Sequence, residues 1–588
     1  DQLNPDYGGV CPGCGFAFRG PQTGIVAGGP DPRGEYTLTN NEKMLASLEK
    51  AVVVLCGVIL ISQTLLMSSC ASVPQAASDN AGVKVGDNLP QSRQEPRPVK
   101  PADANAVAAP QGPLKIGVQE AILLAMENNQ SLIVERMNPQ IQQTFEQEEL
   151  AVFDPLLSGE VSPRRSVSNR LSRAGSTTEN SIVDSITGSV SLAKLFPTGT
   201  ALDLEATTSY TDSSLYSDTF TANRLGLTVT QALLQGFDIR ANEARVNQAR
   251  LDTLISQYEL RGFTEILLEQ IESKFWDYAL AQRQIEIYTN SLTLAEKQMT
   301  EAEERIKLGD LAETELAAAQ AETALQRENL INARSTVAKE RLNLLRLLNP
   351  SGKIDWNRDI LLEYDMSSPD VQLDDVEQRV AVAMKMRPDL NQARLQIQRG
   401  DLEVVRTKNG LLPRLDTFIS FGKTGYADTF NGAIDNMNED RYDATWGLVF
   451  EGAPINRSAR AQYTRALAGR QQLREALENL SQLVQVDVRS AYIEVTRTQE
   501  QISATAATRN FQEEKFRAET EKFRVGKSTS LLVGQAQRDF VASQIAEIQA
   551  VANYLKALVA LYRLEGSLLQ RRGLAAPDAE PVTLDTQP

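Results

Sequence analysis

Histidine is absent from all 588 residues of this chain. Histidine is the commonest general base near neutral pH and the commonest metal ligand, so an enzyme or metal site here would depend on carboxylates, Lys or Ser. We find no constellation of such groups, and we expect neither a catalytic site nor a cofactor or metal. An excess of basic charge is also lacking. The net charge is −16, which argues against nucleic acid as a partner because no basic stripe is available to neutralise phosphates.

Cysteine is scarce and confined to one end of the chain. The four cysteines are Cys11, Cys14, Cys56 and Cys70, and none follows. Cys11 and Cys14 have half of a zinc-ribbon spacing, but no second pair and no histidine complete the coordination. A redox motif is the alternative, although Gly- and Pro-rich flanks give no strand–helix context. We interpret this pair as structural or without a chemical role.

Long apolar runs are limited to residues 51–67, a stretch of 17 residues that follows Lys50. Such a short run before small residues is more typical of a secretory signal than of a spanning helix. Ser-Ser-Cys at its end resembles the lipobox of bacterial lipoproteins, in which the cysteine, here Cys70, becomes the lipidated first residue. Met67 departs from the preferred Leu. A conventional signal peptide or an uncleaved anchor is the alternative.

Composition divides the first 114 residues into three parts. Met44 lies where a start codon would be expected, so residues 1–43 are a doubtful upstream segment and residues 44–69 are the predicted signal peptide. Residues 70–114 are rich in Pro and small polar residues, which predicts an extended tether behind a lipid anchor.

The remaining chain is a tandem duplication. Pro155 matches Pro413 at an offset of 258, and Arg240 matches Arg457 at an offset of 217. The spacing between these markers is 85 residues in the first copy and 44 in the second, so the first copy carries 41 more. The first repeat is predicted at 115–350, with its hairpin at 240–348. The second repeat is predicted at 375–570, with its hairpin at 457–566. Residues 351–374 are a predicted linker, and residues 571–588 are a predicted disordered tail.

The stretches that differ in length are also the ones that look like strands. GTALDLEATTSY, NRLGLTVTQALL and YDATWGLVF alternate apolar and polar residues, within 152–235 and 411–455. Period-two alternation with one polar face predicts an antiparallel sheet, and it fits a membrane barrel with a wet lumen. The 41 extra residues would add either another hairpin or, as we favour, longer strands with a large extracellular loop.

Everything else is predicted to be helical. Proline-free stretches from 240 to 309 and from 457 to 526 are rich in Ala, Glu, Gln, Leu and Arg, and each would span roughly 100 Å. Return helices are predicted at 312–348 and 529–565, and a further helix at 388–409. A long helix followed by a return helix is an antiparallel hairpin, used twice.

The same six-residue pattern marks the point where each long helix reverses. ERIKLGDL at 304–311 and EKFRVGKS at 521–528 share the order Glu, basic, apolar, basic, apolar, Gly. Gly309 and Gly526 can adopt the left-handed C′ conformation, and the basic residues complement the helix dipole. Asp310 in the first copy, and Ser528 or Thr529 in the second, are the nearest capping residues for the next helix.

Apolar residues beside these glycines have no core nearby. Leu308, Leu311 and Val525 lie at the end of a rod, where an exposed apolar spot indicates a docking surface. Two ordinary solvated turns are the alternative interpretation.

These features together resemble the TolC-like outer-membrane efflux proteins. The resemblance covers roughly residues 115–570 and includes FDPLL at 153–157, QALLQG at 231–236, RPDL at 387–390 and the glycine-containing tips. It implies a mainly α fold with a transmembrane β part, in which helical hairpins of a homotrimer form an α-barrel. Four strands per protomer would close a 12-stranded barrel in the outer membrane. Lipid-anchored members also occur in the family.

The resemblance also implies roles for the tips. The residues that would dock on the hairpin tips of a periplasmic adaptor are Leu308, Gly309, Asp310, Leu311, Val525, Gly526 and Lys527. The residues aligned with the family's pore gate are Thr314, Glu315, Phe523 and Ser528. This gate departs from the family's Thr-Asp and Tyr-Arg pattern, because Phe523 has no phenolic hydroxyl and Ser528 no cation.

Three function classes follow, in the order in which we favour them. An exit duct for an inner-membrane pump, across periplasm and outer membrane, needs no catalytic residues. A lipid-anchored periplasmic coiled-coil scaffold would leave the strands unexplained, and an enzyme would need a site that we do not find. Drugs, metals and proteins all remain open as cargo of a duct.

Overall fold

The computed structural model of the protein describes residues 112–171, 175, 178–214, 218–309, 311–349, 356–364, 373–438, 441–574 and 582. The predicted upstream segment and signal peptide, Cys70 and nearly all of the tether lie outside the described residues. So do most of the predicted linker and of the C-terminal tail.

Helices make up most of the described chain. In chain order they are α1 (Val118–Asn128), α2 (Gln130–Glu135), α3 (Met137–Leu150), α4 (Ile239–Asn242), α5 (Ala244–Lys307), α6 (Glu313–Leu348), α7 (Val376–Met386), α8 (Pro388–Asn409), α9 (Phe430–Asp435), α10 (Arg457–Arg524), α11 (Ser530–Leu564) and α12 (Leu568–Arg571). Among the described helices, none has both the length and the apolar composition needed to cross a membrane.

Two antiparallel hairpins confirm the helical part of the prediction. α5 packs against α6, and α10 packs against α11. The long helices of 64 and 68 residues each extend about 100 Å. Towards the start of each long helix, α3 lies on α5 and α8 lies on α10. Each long helix is therefore covered by a shorter helix on either side of its midpoint.

The RPDL motif begins α8 and ties it to the second hairpin. Arg387 is the N-cap, and Pro388 occupies the first turn, where its fixed φ suits a helix and its missing N–H costs nothing. The backbone N–H of Leu390 donates to the Asp389 carboxylate at 2.8 Å. Arg387 also forms an ion pair with Asp487 of α10 at 3.0 Å.

The main core lies at the middle of the hairpins. Leu268 and Phe275 of α5, Leu344 and Leu348 of α6 and Leu561 of α11 are fully buried there. Each such side chain contributes roughly 1.5–3 kcal/mol by leaving water. This core makes the middle of the hairpins the most strongly packed part of the described chain.

Strands occur in two sheets. They are β1 (Leu114–Ile116), β2 (Leu156–Leu171), β3 (Thr178–Leu195), β4 (Thr200–Ser213), β5 (Phe220–Ala232), β6 (Ile360–Leu362), β7 (Arg414–Ala427) and β8 (Tyr442–Glu451). The short parallel pair of β1 and β6 covers the main core. This pair was missed by the sequence analysis, because three-residue strands carry no readable period.

In the part of the chain that the structure describes, the large sheet has six strands in the order β2-β3-β4-β5-β7-β8, and all neighbours are antiparallel. The four strands implied by the resemblance are therefore wrong for this chain. The preference for longer strands with a large loop is also wrong, because the extra residues form the hairpin β2–β3. The sequence analysis did not predict this hairpin because β2 contains Pro163 and is rich in Ser and Arg. A proline within a run of residues argues against a strand unless that strand lies at the edge of a sheet.

The two faces of this sheet differ in polarity. One lateral row joins Leu157, Leu192, Leu204, Leu227 and Phe421 from five neighbouring strands. The adjacent positions carry polar residues such as Ser158, Ser191 and Glu205. One face is therefore apolar and the other polar across the sheet, as the alternation predicted.

The turn sequence LFPTGT at 195–200 meets the QALLQG motif at the base of the sheet. Gly199 has a φ of 75°, and a Cβ on it would lie 2.1 Å from the carbonyl oxygen of Gly236. The Asn242 side-chain amide donates to the carbonyls of Pro197 and Gly236, both at 2.7 Å. These contacts fix how the strands enter the first long hairpin.

Replacing Gly199 with Ala is expected to abolish most folding of the sheet, because the new Cβ overlaps the Gly236 backbone. Gly175→Ala is the matched control: its φ is 73°, but a Cβ would meet nothing within 4 Å. The left-handed strain common to both costs about 1–2 kcal/mol. The measurement is the fraction of folded protein whose electrophoretic migration changes on heating, and equal yields from the two variants would contradict the proposed overlap.

Candidate functional site

The two hairpin tips have the same backbone turn. Gly309 and Gly526 have φ values of 83° and 73°, which confirms the predicted left-handed conformation. In the second tip the N–H of Gly526 donates to the Phe523 carbonyl at 3.1 Å, and the N–H of Lys527 donates to the Lys522 carbonyl at 2.8 Å. This pair of bonds is a Schellman motif, which satisfies carbonyls that the helix end leaves free.

The helices that leave the tips begin differently. Thr529 caps α11, because its hydroxyl accepts from the N–H of Leu532. α6 has Ala312 at its N-cap, and this residue makes no side-chain cap bond. Asp310, the predicted capping residue, lies outside the described residues, so its role stays a prediction.

Direct contacts join the two tips within one protomer. The backbone N–H of Ser530 donates to the Glu315 carboxylate at 2.7 Å. Arg305 lies 5.2 Å from the ring centroid of Phe523 and donates to its carbonyl at 3.4 Å. A carboxylate at a helix N-terminus and a cation over an aromatic ring are both favourable. Together these contacts form a tip lock, which we define as Arg305, Glu315, Phe523 and Ser530.

The structure brings only part of the aligned gate set together. Glu315 and Phe523 belong to the tip lock, whereas Thr314 is exposed. Ser528 donates to Glu519 at 2.9 Å. The pKa of Glu519 lies below its usual value because Lys522, and then Ser528, donate to its carboxylate. Ser528 provides no cation at the aligned position, but Arg305 places one beside Phe523. The sequence analysis considered Arg305 only as a basic residue that complements the helix dipole.

A second set of polar contacts lies further along the helices from the tips. Glu322 of α6 pairs with Arg538 of α11 and also accepts from the Gln326 amide at 2.7 Å. A Cβ on Gly534 would lie 3.3 Å from the Glu322 carboxylate, so the small residue leaves room for this pair. The Gln537 amide donates to Ser291 of α5 at 3.0 Å. The hairpins are thus joined here by hydrogen bonds rather than by a large apolar core.

The ends of the tips expose apolar side chains. Leu308 is 77% exposed and Val525 is 66% exposed, as the sequence predicted, and Leu311 is half-buried. Leu531 and Leu532 on the first turn of α11, which the sequence analysis did not single out as docking residues, are exposed as well. We define the tip surface as Leu308, Val525, Leu531 and Leu532.

The polar face of the sheet carries an ion pair between strands. Arg224 of β5 and Asp443 of β8 form two parallel hydrogen bonds of 2.8 Å. Their side chains meet over Gly422 of the intervening strand β7, where a Cβ would lie 2.6 Å from the guanidinium. Bidentate pairs of this kind are geometrically specific, and this one spans three strands of the polar face.

No cluster of three or more His, Cys, Asp or Glu side chains in the described ranges could hold a metal ion. Cys70, the predicted lipidation site, lies outside those ranges. The structural features available for function are therefore the tips and the two-faced sheet.

The family model for outer membrane efflux proteins matches residues 189–350 and 380–567. A comparison with curated protein sequences gave no match.

Solved structures share the fold. The channel-forming CusC aligns with a TM-score of 0.58 at 16% identity over 76% of this chain and 92% of that chain. The outer membrane protein VceC of Vibrio cholerae aligns with a TM-score of 0.55 at 14% identity over 76% of this chain and 96% of that chain. The CmeC outer membrane channel of Campylobacter jejuni aligns with a TM-score of 0.55 at 13% identity over 77% of this chain and 86% of that chain.

Glu315→Ala is expected to raise the open probability of isolated molecules in planar bilayers, because it frees the N-terminus of α11 from α6. Loss of a hydrogen bond to a charged group costs about 1.5–3 kcal/mol, or at least tenfold in the closed-to-open ratio. Glu313→Ala is the control, since Glu313 is an exposed carboxylate of the same helical turn. Identical open probabilities for wild type and Glu315→Ala would mean that the tip lock does not control opening of the channel.

Proposed function

Because this chain belongs to the outer membrane efflux protein family, we propose that three copies form the exit duct of a tripartite efflux or type I secretion system. The protein is an outer-membrane efflux channel, and its family and fold are those of channels rather than enzymes. The observation that carries the proposal is the two-faced sheet at one end of hairpins about 100 Å long.

Transport through such a duct is passive. The polar face of the sheet would line a wet lumen, and the apolar face would contact outer-membrane lipids. The hairpins of the trimer would continue the passage through the periplasm towards an inner-membrane transporter. The tip lock would keep the inner end narrow, and separation of the two hairpin tips would widen it.

Docking of a periplasmic adaptor is proposed for the tips. The residues of this site are Leu308, Gly309, Asp310, Leu311, Val525, Gly526 and Lys527, joined by Leu531 and Leu532 of the tip surface. Apolar side chains exposed far from the core support this role, because contiguous exposed apolar residues commonly mark interaction sites. The adaptor would reach the transporter, so contact between this protein and the pump would be indirect.

The remaining segments complete the proposal. Residues 115–350 and 375–570 would be the two repeats, with 351–374 as a linker and 571–588 as a tail. Cleavage of 44–69 would leave Cys70 as a lipidated N-terminus, followed by the tether 70–114.

Purified wild-type protein is expected to produce discrete conductance steps in planar bilayers, because a closed two-faced sheet encloses water. Mass spectrometry of the same sample would show an acylated N-terminus at Cys70. Folded, acylated protein without conductance would contradict the duct and favour the lipid-anchored periplasmic scaffold.

Replacing Leu308 and Val525 together with Ser is expected to weaken cross-linking to the host's adaptor at least tenfold, since each exposed apolar side chain can contribute about 1.5–3 kcal/mol when it is buried. Unit conductance of the variant should be unchanged. Lys307→Ser is the control, because it introduces Ser at an exposed residue beside Leu308 and changes the charge of the tip instead of its apolar surface. Undiminished cross-linking by the double variant would exclude these residues from docking.

A further inference from the structure

The β2–β3 hairpin accounts for the length difference between the two copies. Leu156–Leu195 covers 40 residues, close to the excess of 41 in the first copy. The first copy thus supplies four strands to the sheet and the second copy supplies two. The family match begins only at residue 189, inside β3, so β2 lies entirely outside the matched region.

This hairpin is built as a continuation of the sheet. β2 pairs with β3 along its whole length, from Leu156 opposite Ala193 to Leu171 opposite Thr178. Leu157 and Val161 extend the apolar face, and Ser158 extends the polar face, where it shares a 2.7 Å hydrogen bond with Ser191. An external loop lying on the sheet would not need to keep the alternation of the strands beside it.

Among the described residues, two strand edges have no partner strand within the protomer, one on β2 and one on β8. Both edge strands carry exposed apolar side chains, including Leu157 on β2 and Trp446, which is 80% exposed, on β8. In the hydrocarbon of a bilayer, each unpaired backbone group costs several kcal/mol, so neither edge can stay open. The edges of other copies of this chain are the partners that match this pattern.

The strand count allows that pairing. Six antiparallel strands place β2 and β8 in opposite directions, so β8 of one copy can extend antiparallel along β2 of the next. Pro163 has no backbone N–H, and proline within a sheet is tolerated on an edge strand such as β2.

We propose that the β2–β3 hairpin is part of the barrel wall, and that β2 of each copy pairs with β8 of the next. This inference depends on the proposed trimer, in which three six-stranded sheets would give eighteen strands. Barrel diameter grows roughly linearly with strand number, so the outer passage has roughly twice the cross-section of a barrel with four strands per copy. The outer end of this channel accordingly accommodates wider cargo.

Engineered disulfides test this pairing, because the chain has no cysteine after Cys70. Thr445→Cys on β8 would be combined with Ser158→Cys, Ser162→Cys or Ser166→Cys on β2, all on the polar face. The series is needed because barrel closure staggers neighbouring strands by a shear. At least one combination is expected to give covalent dimers and trimers of the full-length protein in outer membranes.

Ser209→Cys on β4 with Thr445→Cys is the matched control. Ser209 lies in the same lateral row as Ser162, two strands further into the sheet. A cross-link from β4 and none from β2 would place the hairpin outside the wall and overturn the inference. Native trimers with conductance but without any β2 cross-link would overturn it as well. Absence of both trimers and conductance in the wild type would instead reject the proposed duct, and this inference with it.

A deletion gives an independent measurement. Removing Leu156–Leu195 joins Pro155 to Phe196, which is a short connection because Leu156 lies opposite Ala193. The largest poly(ethylene glycol) that enters the channel from the strand side is expected to decrease, with a roughly twofold lower entry cross-section. An unchanged polymer limit in a conducting deletion variant would contradict the role of the hairpin in the wall.

Discussion

A backbone N–H or C=O without a partner is very unfavourable in hydrocarbon, and much of this architecture follows from that constraint. In the described part of the chain, the sheet of one protomer has apolar residues on one face, but it also has two open edges. In the proposed barrel, other copies of the chain would close these edges. The helices would then hold the strands of three copies together and in register at the membrane. One protomer would be one sector of this proposed assembly.

Packing divides the molecule into parts with different stability. The middle of the hairpins has fully buried large side chains such as Phe275 and Leu344, whereas the tips are joined by alanines, ion pairs and hydrogen bonds. Regions with few buried apolar contacts open at lower free energy than cores. In the proposed duct, a gate at the tips would therefore change conformation while the middle stays intact. Control of the gate would depend on a few polar contacts, including those of Glu315 and Arg305.

The contacts between the two tips show how much alignment with the family predicts about individual residues. Glu315 was identified from its position relative to Gly309, and it does contact the other hairpin. Arg305 was not identified, because the cation there comes from the end of α5 and stacks on a residue more than 200 positions away. Local sequence patterns predict which residues lie at the turn. Which side chain of one tip meets the other tip depends on how two distant helices are placed.

The sequence by itself determined the helical hairpins, their lengths and their glycine turns, because helix periodicity and caps are local properties. It also determined the two-faced character of the strands, through alternation. Only the tertiary structure decided that β2 and β3 are strands, that the sheet has six of them and that β2 and β8 form its edges. Strand pairing joins residues that are distant in sequence, such as Leu227 and Phe421. A weakly apolar segment containing Pro163 is recognisable as a strand only once its neighbour is in place.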